Sequence, residues 1–330
     1  MLCAGGEEEF FETGEKTQQT MNTVTVLMTT LNSVRFAADA VQSILLQTYQ
    51  DFELCIVDGG SSDGTVERIK AFTDPRIRFF ECKGLRRSAQ LNYGLLKASG
   101  DYIAIMDSDD IALPQRLEEQ VRYLQNTSSV SLVGSWSEYI DENGNSLEIN
   151  KRPLEHAHII QHLFSFGNPS LSSLMLRKSI LESNQFFNES LQGLEDIEWY
   201  LRISSYARFG VIPKVLMKFR QTKDSLSKQI NAANNRVFVD CVNTYFSHPL
   251  NGNHPKAPYA LWGIAHYYYG ETRTARKLLR QSLRREGWSF QTFRYLIPTI
   301  VFPGPLLKYM RENRLLKSLA HFYRAAGHRK

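Results

Sequence analysis

The sequence predicts an α/β fold in which a mostly parallel, doubly wound sheet is flanked by helices. Three observations lead to this prediction. Short apolar runs rich in β-branched residues alternate with helical segments over the first two thirds of the chain. The connections between them are short, as in strand–helix–strand units. Polar residues also follow several of the strands, at the edge where such sheets bind ligands.

The individual elements follow from composition and from residues that begin or interrupt structure. Strands are predicted at residues 23–29, 52–57, 76–81, 102–107, 130–139, 171–176 and 215–219, and a turn at 141–144 leads into residues 147–149. Asn32 or Ser33 is predicted to cap a helix that runs to about residue 47, and further helices are predicted at 65–72, 88–98, 114–125, 156–166 and 194–203. Pro114 suits a first helical position, and Gly100 ends a helix.

The last hundred residues differ in character. No strand is predicted after residue 219, whereas residues 257–269, 271–285 and 291–300 have helical patterns. Residues 271–330 hold 14 Lys or Arg and 3 Asp or Glu, so this region is basic. We therefore divide the chain into a disordered segment 1–21, an α/β domain 22–225 and a basic helical region 226–330.

Composition excludes several classes of protein. The four cysteines show no CxxC spacing, which predicts neither a zinc site nor a disulfide framework and favours a reducing, cytoplasmic compartment. No apolar window is long enough for a membrane-spanning helix, and the acidic start does not resemble a signal peptide. His156, His158 and His162 do not share one helix face, so they do not predict a metal site.

The most informative stretch is the acidic end of the strand at residues 102–107. Asp107, Asp109 and Asp110 lie close together, and like charges repel unless a cation lies among them. Oxygen ligands without nearby His or Cys suit Mg²⁺ or Mn²⁺, typically shared with substrate phosphates. An acidic turn capping the helix at Pro114 would explain an isolated motif equally well. The polar ends of the neighbouring strands favour the metal–diphosphate site.

A second acidic cluster begins the helix predicted at residues 194–203. Glu195 and Asp196 lie one helical turn from Trp199, and Arg202 lies near the following turn. A carboxylate beside an aromatic ring and an arginine can serve as a general base next to a sugar platform and a charge partner. Acidic residues at a helix start also stabilise the helix dipole. The cluster alone leaves both interpretations open.

The C-terminal region suggests a possible partner. Residues 296–307 are apolar but interrupted by prolines, and basic residues flank them: Arg294, Lys308, Arg311, Arg314 and Lys317. This pattern fits an anionic membrane surface, and it fits packing against the α/β domain equally well. Nucleic acid is not an expected partner, because no recognised binding motif accompanies the basic residues.

Five segments occur in the order and spacing of family 2 glycosyltransferases. They are VTVLMTTLN (24–32), SILLQTYQDFE (43–53), IVDGGSSDGT (56–65), GDYIAIMDSDD (100–110) and LEDIEWYLR (194–202). The resemblance covers residues 22–220. It implies that the domain at 22–225 is a GT-A catalytic domain, a Rossmann-like α/β fold, with the helical region as a C-terminal extension.

The resemblance also implies an activity and a set of site residues. The activity is an inverting transfer from a nucleotide-diphosphate sugar to a saccharide or lipid-linked acceptor, in cell-surface polysaccharide or glycolipid synthesis on the cytoplasmic side. The implied donor-binding residues are Thr29, Asn32, Asp58, Arg86, Asn92 and Asp107. Asp109, together with Asp107, would hold the divalent metal. Asp196 would be the catalytic base, and Glu195, Trp199 and Arg202 would shape the acceptor side.

The sequence departs from the family pattern at two places. Gly59 stands where many members have an aspartate that reads uracil, which weakens the inference of a UDP-sugar. Residues 171–173 lack the histidine of some members, so phosphate contacts would come from Arg86 or Arg87.

Three other functions are rivals to glycosyl transfer. The leading rival is a nucleotide-sugar-binding protein without transfer activity. An NAD-dependent enzyme and a nucleotidyltransferase are set aside, because the required Gly-rich loops are absent from the sequence.

Overall fold

A computed structural model describes most of the α/β domain and three C-terminal helices. The described residues are 23–163, 170–182, 186–191, 195–204, 206–222, 240, 259–268, 271–285, 287 and 290–301. The predicted disordered segment 1–21 lies outside them, as do residues 302–330 at the end of the basic region.

In the described part of the α/β domain, nine strands form a mixed sheet at its centre. The strands are β1 (Val24–Thr30), β2 (Phe52–Asp58), β3 (Ile77–Glu81), β4 (Tyr102–Asp107), β5 (Ile111–Ala112), β6 (Leu132–Ile140), β7 (Ser146–Asn150), β8 (Met175–Arg177) and β9 (Phe209–Arg220). Their order is β3-β2-β1-β4-β8-β6-β9-β5, and β7 pairs with β6. The strands β1 to β4 are parallel to one another, as the strand–helix alternation predicts, whereas β8 runs antiparallel between β4 and β6.

Helices cover both faces of the sheet. They are α1 (Ala37–Leu45), α2 (Thr65–Lys70), α3 (Arg87–Lys97), α4 (Arg116–Asn126), α5 (His156–Leu163), α6 (Glu195–Ile203), α7 (Tyr259–Tyr268), α8 (Thr272–Arg285) and α9 (Phe290–Val301). Alternate residues of β1 belong to different hydrophobic clusters, with Leu27 in one and Val26 and Met28 in the other. Because helices cover both faces, β1 is buried along its whole length and does not alternate between buried and exposed residues. The predicted α/β fold is confirmed.

Two elements differ from the sequence-based predictions. Helix α1 begins at Ala37 and not at Asn32 or Ser33, because the residues after β1 bind the loop that follows β2. The predicted strand at residues 171–176 is a 3₁₀ turn at Leu171–Ser173 followed by β8. In a single sequence, a run of only three or four apolar residues does not show whether the segment is a strand or a turn.

Strand β9 is longer than predicted. It runs parallel to β6 and extends from Phe209, whereas the apolar pattern indicates only residues 215–219. Pro213 interrupts that pattern. The pairing of β6 with β9 shifts register at Trp136, which lies opposite Val215 after Ser135 has paired with Ile212. A shift of this kind accommodates a proline within a sheet.

The C-terminal helices pack on the α/β domain. Ile264 of α7, Leu279 of α8 and Leu296 of α9 belong to the same hydrophobic cluster as Leu27 of β1. A Cβ at Gly263 would lie 2.7 Å from Leu279, so glycine permits the close approach of α7 and α8. The predicted helical extension is therefore confirmed. Among the described helices, none has the length and apolar character needed to cross a membrane.

Gly100 should tolerate no side chain. A Cβ there would lie 2.6 Å from the backbone nitrogen of Thr25 and 2.8 Å from the carbonyl oxygen of Thr23. Since backbone atoms cannot rotate away, we expect Gly100→Ala to lower the free energy of unfolding by about 2 kcal/mol or more. Urea unfolding measures this loss. As a control, Ser129→Ala at an exposed position should leave the midpoint of urea unfolding unchanged. An unchanged midpoint for Gly100→Ala would contradict the close packing around Gly100.

Candidate functional site

The carboxyl ends of β1, β2 and β4 lie side by side. Thr30 of β1 lies opposite Asp58 of β2, and Thr29 lies opposite Asp107 of β4. The polar residues that end three neighbouring strands are therefore adjacent. Ligands of doubly wound sheets bind at this edge, so it is the candidate functional site.

Asp58 orders the loop that follows β2. Its Oδ2 accepts hydrogen bonds from the backbone nitrogens of Gly60 at 2.8 Å and Ser61 at 2.9 Å, and the Ser61 hydroxyl donates to its Oδ1. Gly60 has a φ of +103°, a conformation that glycine adopts without steric cost. A carboxylate has about four acceptor positions. Most of the capacity of Asp58 is therefore used within the loop, which the structure holds at the edge of the site.

Gly59 has a steric reason to be glycine. A Cβ there would lie 2.3 Å from Nε2 of Gln90 and 2.9 Å from the carbonyl oxygen of Leu85. The Gln90 amide fills this space and donates to the Leu85 oxygen at 2.9 Å. An aspartate at position 59 would require Gln90 to move, which explains the departure noted in the sequence.

Asn32 and Thr29 have different access to the site. Asn32 Oδ1 accepts a hydrogen bond from the Ser62 nitrogen at 3.0 Å, and the Asn32 nitrogen donates to Ser61 Oγ at 2.8 Å. Its φ of +52° lies in the left-handed region that asparagine tolerates. Asn32 is exposed, whereas Thr29 is buried within β1. Of these two predicted donor-binding residues, Asn32 has the accessible side chain.

Arg87 joins the end of β4 to the start of α6. Its Nη2 donates to the two carboxylate oxygens of Asp107 at 2.7 and 3.0 Å, and its Nη1 donates to Glu195 Oε1 at 3.0 Å. Burial alone would lower the pKa of Arg87, but the charges of Asp107 and Glu195 raise this pKa above its ordinary value. The side chain is 25% exposed, so a permanent cation lies at the site edge.

Two predicted donor-binding residues, Arg86 and Asn92, lie at the start of α3 and within it. Arg86 precedes α3 and is exposed. Asn92 is buried, its Nδ2 donates to the Phe187 oxygen at 2.9 Å, and its Oδ1 accepts from the Phe187 nitrogen at 2.8 Å. The amide of Asn92 also donates to Glu189 at 2.8 Å. The Asn92 side chain therefore anchors the segment around Phe187 and Glu189, and its donor-binding role stays a prediction.

Side chains support the end of β4 on the side where its pairing with β8 stops. Strand β8 pairs only with the first half of β4. Beyond that point, Nη2 of the fully buried Arg116 donates to the carbonyl oxygens of Ile105 at 2.8 Å and Leu174 at 3.2 Å. The Asp107 nitrogen donates to Ser172 Oγ at 2.9 Å. These bonds replace the missing strand ladder and fix the direction in which Asp107 leaves the sheet.

Asp109 and Asp110 have different surroundings. Asp110 is buried, and its Oδ1 accepts a hydrogen bond from the Arg220 nitrogen at 2.9 Å. Its Oδ2 has no hydrogen-bond partner among the residues described. Asp109 is partly exposed, and burial together with the charge of Asp107 raises its pKa. A cation near Asp109 would stabilise the ionised form.

The acidic end of β4 fits a divalent ion that is shared with a diphosphate. Within the described ranges, no group of three or more His, Cys, Asp or Glu side chains is arranged to hold a metal. Mg²⁺ commonly needs only one or two carboxylates when phosphates complete its coordination. Arg87 engages both oxygens of Asp107. Asp109 is therefore the principal candidate ligand, with Asp107 as the second.

Asp196 lies in the first turn of α6. Its Oδ1 accepts a hydrogen bond from the Ile197 nitrogen at 2.7 Å. Burial, followed by the charge of Glu195, raises the pKa of Asp196 to about 6. Glu195 is itself buried, and its Oε2 has no hydrogen-bond partner in the described part of the chain. A carboxylate whose pKa is close to neutral suits a general base.

Trp199 and Arg202 hold α6 in place. Trp199 is fully buried and stacks on Phe187, with ring centroids 4.7 Å apart. The Trp199 ring packs inside the domain, and its acceptor-side role stays a prediction. Arg202 Nε donates to Glu198 at 2.7 Å and its Nη2 donates to the Phe186 oxygen at 2.6 Å. The acceptor-side role of Arg202 stays a prediction, as does that of the buried Glu195.

Comparisons with known proteins agree with this architecture. The model for Glycosyl transferase family 2 matches residues 25–183. An uncharacterized glycosyltransferase of Methanocaldococcus jannaschii is 35% identical over 204 residues, which are 60% of this chain and 70% of that protein. The O-antigen biosynthesis glycosyltransferase WbnJ of Escherichia coli is 30% identical over 217 residues, which are 63% of this chain and 83% of that protein.

Two solved structures show the same fold. TarS 1-349 of S. aureus, in complex with UDP-GlcNAc, matches with a TM-score of 0.63 at 15% identity and covers 92% of both chains. The mannosyltransferase PcManGT from Pyrobaculum calidifontis, in complex with GDP-Man and Mn²⁺, matches with a TM-score of 0.57 at 17% identity, covering 93% of this chain and 88% of that one. The fold is GT-A, and the chain is a glycosyltransferase that belongs to family 2.

Proposed function

We propose that the protein transfers a sugar from a nucleotide-diphosphate sugar to an acceptor hydroxyl with inversion. Asp196 acts as the general base, and Asp109 would hold a divalent metal that supplies positive charge for the diphosphate. The observation that carries this proposal is that Arg87 forms two ion pairs. One is with Asp107 at the end of β4, and the other is with Glu195, which precedes Asp196 at the start of α6. These contacts tie the diphosphate end of the site to the base.

The acceptor side of the reaction needs a proton acceptor. A sugar hydroxyl is a weak nucleophile until a carboxylate takes its proton as the new bond forms. Asp196, with a pKa raised to about 6, is ionised at neutral pH and still basic enough for this task. One in-line displacement then breaks the bond from the anomeric carbon to the diphosphate and inverts the configuration. The proton ends on Asp196, and no covalent enzyme intermediate is required.

The donor side of the reaction must accommodate negative charge on the departing nucleoside diphosphate. Asp109, together with Asp107, would hold Mg²⁺ or Mn²⁺, which acts as a Lewis acid that offsets this charge. The cation of Arg87 lies beside Asp107 and adds to the positive potential there. Ser172 and Arg116 keep the end of β4 in position.

The donor and acceptor are proposed as classes. TarS binds UDP-GlcNAc and PcManGT binds GDP-Man, so the donor of this chain is a hexose or N-acetylhexosamine on a nucleoside diphosphate. The steric conflict at Gly59 argues against uracil recognition of the usual kind. WbnJ acts in O-antigen biosynthesis. A saccharide or lipid-linked acceptor in cell-surface polysaccharide or glycolipid synthesis, reached from the cytoplasmic side, is therefore our proposal.

A donor screen tests this proposal. The full chain would be incubated with Mn²⁺ or Mg²⁺ and UDP-, GDP- or dTDP-sugars, and both the melting temperature and donor hydrolysis would be measured. We expect one donor to raise Tm by several degrees, because a ligand that binds the folded state stabilises it. Asp109→Ala should lose the metal-dependent part of the shift. The exposed control Glu67→Ala should keep it.

The same screen distinguishes the rival function. A nucleotide-sugar-binding protein without transfer activity would give the Tm shift, but no metal-dependent turnover with water or with any saccharide acceptor. Binding of no donor by a folded protein would contradict both functions.

A further inference from the structure

Helices α8 and α9 present surfaces that the transfer reaction does not use. Helix α8 contains six Lys or Arg residues and no Asp or Glu. Its buried face consists of Ala275, Leu278, Leu279 and Ser282. The exposed stripe on the opposite face, which we call the basic stripe, consists of Arg273, Lys277, Arg280 and Arg284. The spacing of three or four residues places these four cations along one side of the helix.

The basic stripe carries uncompensated charge. None of its four side chains forms an ion pair with a carboxylate of the described residues. By contrast, many cations on the α/β domain are paired, such as Arg35 with Glu142 at 3.0 Å and Lys214 with Glu119 at 2.8 Å. The stripe therefore keeps its attraction for an external anionic surface.

Helix α9 adds exposed aliphatic residues. Ile297 and Ile300 are each 52% exposed, and Val301 is 61% exposed. Arg294 lies on the same face, one turn before Ile297, and is also exposed. Thr292, Leu296 and Thr299 are buried on the opposite face. The described side chains on the outer face of α9 thus include Ile297, Ile300, Val301 and Arg294, and we call this surface the aliphatic face.

The two helices lie against each other in antiparallel directions. Arg276 of α8 donates to the carbonyl oxygen of Thr299, and the hydroxyls of Ser282 and Thr292 are 3.3 Å apart. The first half of α8 therefore lies beside the last half of α9. This arrangement places Arg273 and Lys277 near the end of α9 that carries the exposed aliphatic residues.

We infer that the basic stripe of α8 and the aliphatic face of α9 bind an anionic lipid surface. Basic side chains are attracted to acidic headgroups, and exposed aliphatic side chains insert at the boundary between headgroups and acyl chains. In this arrangement α8 and α9 lie on the membrane surface. The membrane contact itself does not depend on the proposed function. Its benefit to the enzyme, which is access to a lipid-linked acceptor, rests on that function.

A nucleic acid explains these surfaces less well. Single-stranded nucleic acids bind basic grooves through exposed aromatic rings that stack on bases. Among the side chains of α9 that the structure describes, the exposed apolar ones are aliphatic, and the partly buried Tyr295 packs edge-on against Tyr267 at 5.3 Å. A lipid surface uses both the charge and the aliphatic side chains.

Vesicle co-sedimentation tests the inference on the full chain. The probes are vesicles of phosphatidylcholine alone and of phosphatidylcholine with 25% phosphatidylglycerol, each at low and high salt. We expect binding to the anionic vesicles only, weakened by salt because exposed charges are screened. Lys277→Gln combined with Arg280→Gln should lower the partition coefficient about tenfold or more. Ile297→Ser combined with Ile300→Ser should also weaken binding.

Matched variants on the α/β domain serve as controls. Arg68→Gln with Lys97→Gln removes two exposed cations, and Leu46→Ser with Leu96→Ser removes two exposed apolar side chains. Neither control should change vesicle binding. Equal loss in controls and test variants, or unchanged binding of both test variants, would overturn the inference. Binding of a short RNA that depends on the basic stripe but not on Ile297 and Ile300, without vesicle binding, would assign the surface to nucleic acid instead.

Vesicle binding also separates this inference from the proposed function. The test variants should retain the donor-induced Tm shift and donor hydrolysis of the unmodified protein, because the altered side chains lie outside the candidate site. Loss of donor binding in the unmodified protein would contradict the proposed function and leave the vesicle result to be judged independently.

Discussion

Replacing Asp196 with asparagine is expected to lower the rate of sugar transfer by about a hundredfold or more. The amide is nearly isosteric with the carboxylate but cannot accept the acceptor proton in the transition state. The hydrogen bond from the Ile197 nitrogen to Asp196 Oδ1 can be kept by the amide oxygen, so the start of α6 should remain intact. Donor affinity should therefore change little, and the loss should appear in kcat.

The pH dependence of the reaction provides a second test of the same residue. Because the pKa of Asp196 is raised to about 6, the base becomes protonated as pH falls through that value. We expect kcat to be constant above about pH 7 and to fall tenfold for each pH unit well below 6. Asp196→Asn should lack this decrease. The exposed control Asp101→Asn should retain both the rate and the profile, whereas a wild-type rate for Asp196→Asn would contradict the assignment.

Replacing Arg87 with glutamine is expected to have the second large effect. The substitution leaves Asp107 and the buried Glu195 without their shared cation. Removing one member of a buried charge group is strongly unfavourable, and we expect the free energy of unfolding to fall by about 2 kcal/mol after allowance for partial exposure. Loss of the donor-side cation should also lower kcat by about a hundredfold.

Arg86 provides the matched control for Arg87. The two arginines are adjacent in the chain, but only Arg87 contacts the carboxylates of the site. We expect Arg86→Gln to retain stability, and Arg87→Lys to recover part of the stability through one remaining ion pair. Urea unfolding and steady-state kinetics measure the two effects. Equal losses for Arg86→Gln and Arg87→Gln would contradict the role given to Arg87.

The sheet was largely predictable from local patterns. The strands β1, β2 and β4 are mostly apolar and buried because helices cover both faces of the sheet, and such runs are recognisable in a single sequence. The pairing of β8 with β4 and β6 was not predictable, because three residues between irregular segments carry little periodic signal. Pro213 likewise concealed the first half of β9.

The site was predictable only where its residues occur in motifs. Asp107, Asp109 and Asp196 belong to segments that resemble those of a known family, and their strands and helix are where the sequence indicated. Arg87 and Ser172 act through contacts with residues 20 and 65 positions away, respectively. No local pattern reports such a contact. Asn92 and Trp199 show the converse, since polar or aromatic character near a motif did not reveal that both side chains are buried.

The anomeric configuration of the first product tests the central claim most directly. Once the screen has identified a donor, NMR during its hydrolysis would record the anomer released before mutarotation equilibrates the sugar. A single displacement assisted by Asp196 predicts the opposite configuration: an α-linked donor should release the β sugar first. Release of the α sugar from an α-linked donor would require two displacements or a retained configuration, and would contradict the mechanism proposed for this site.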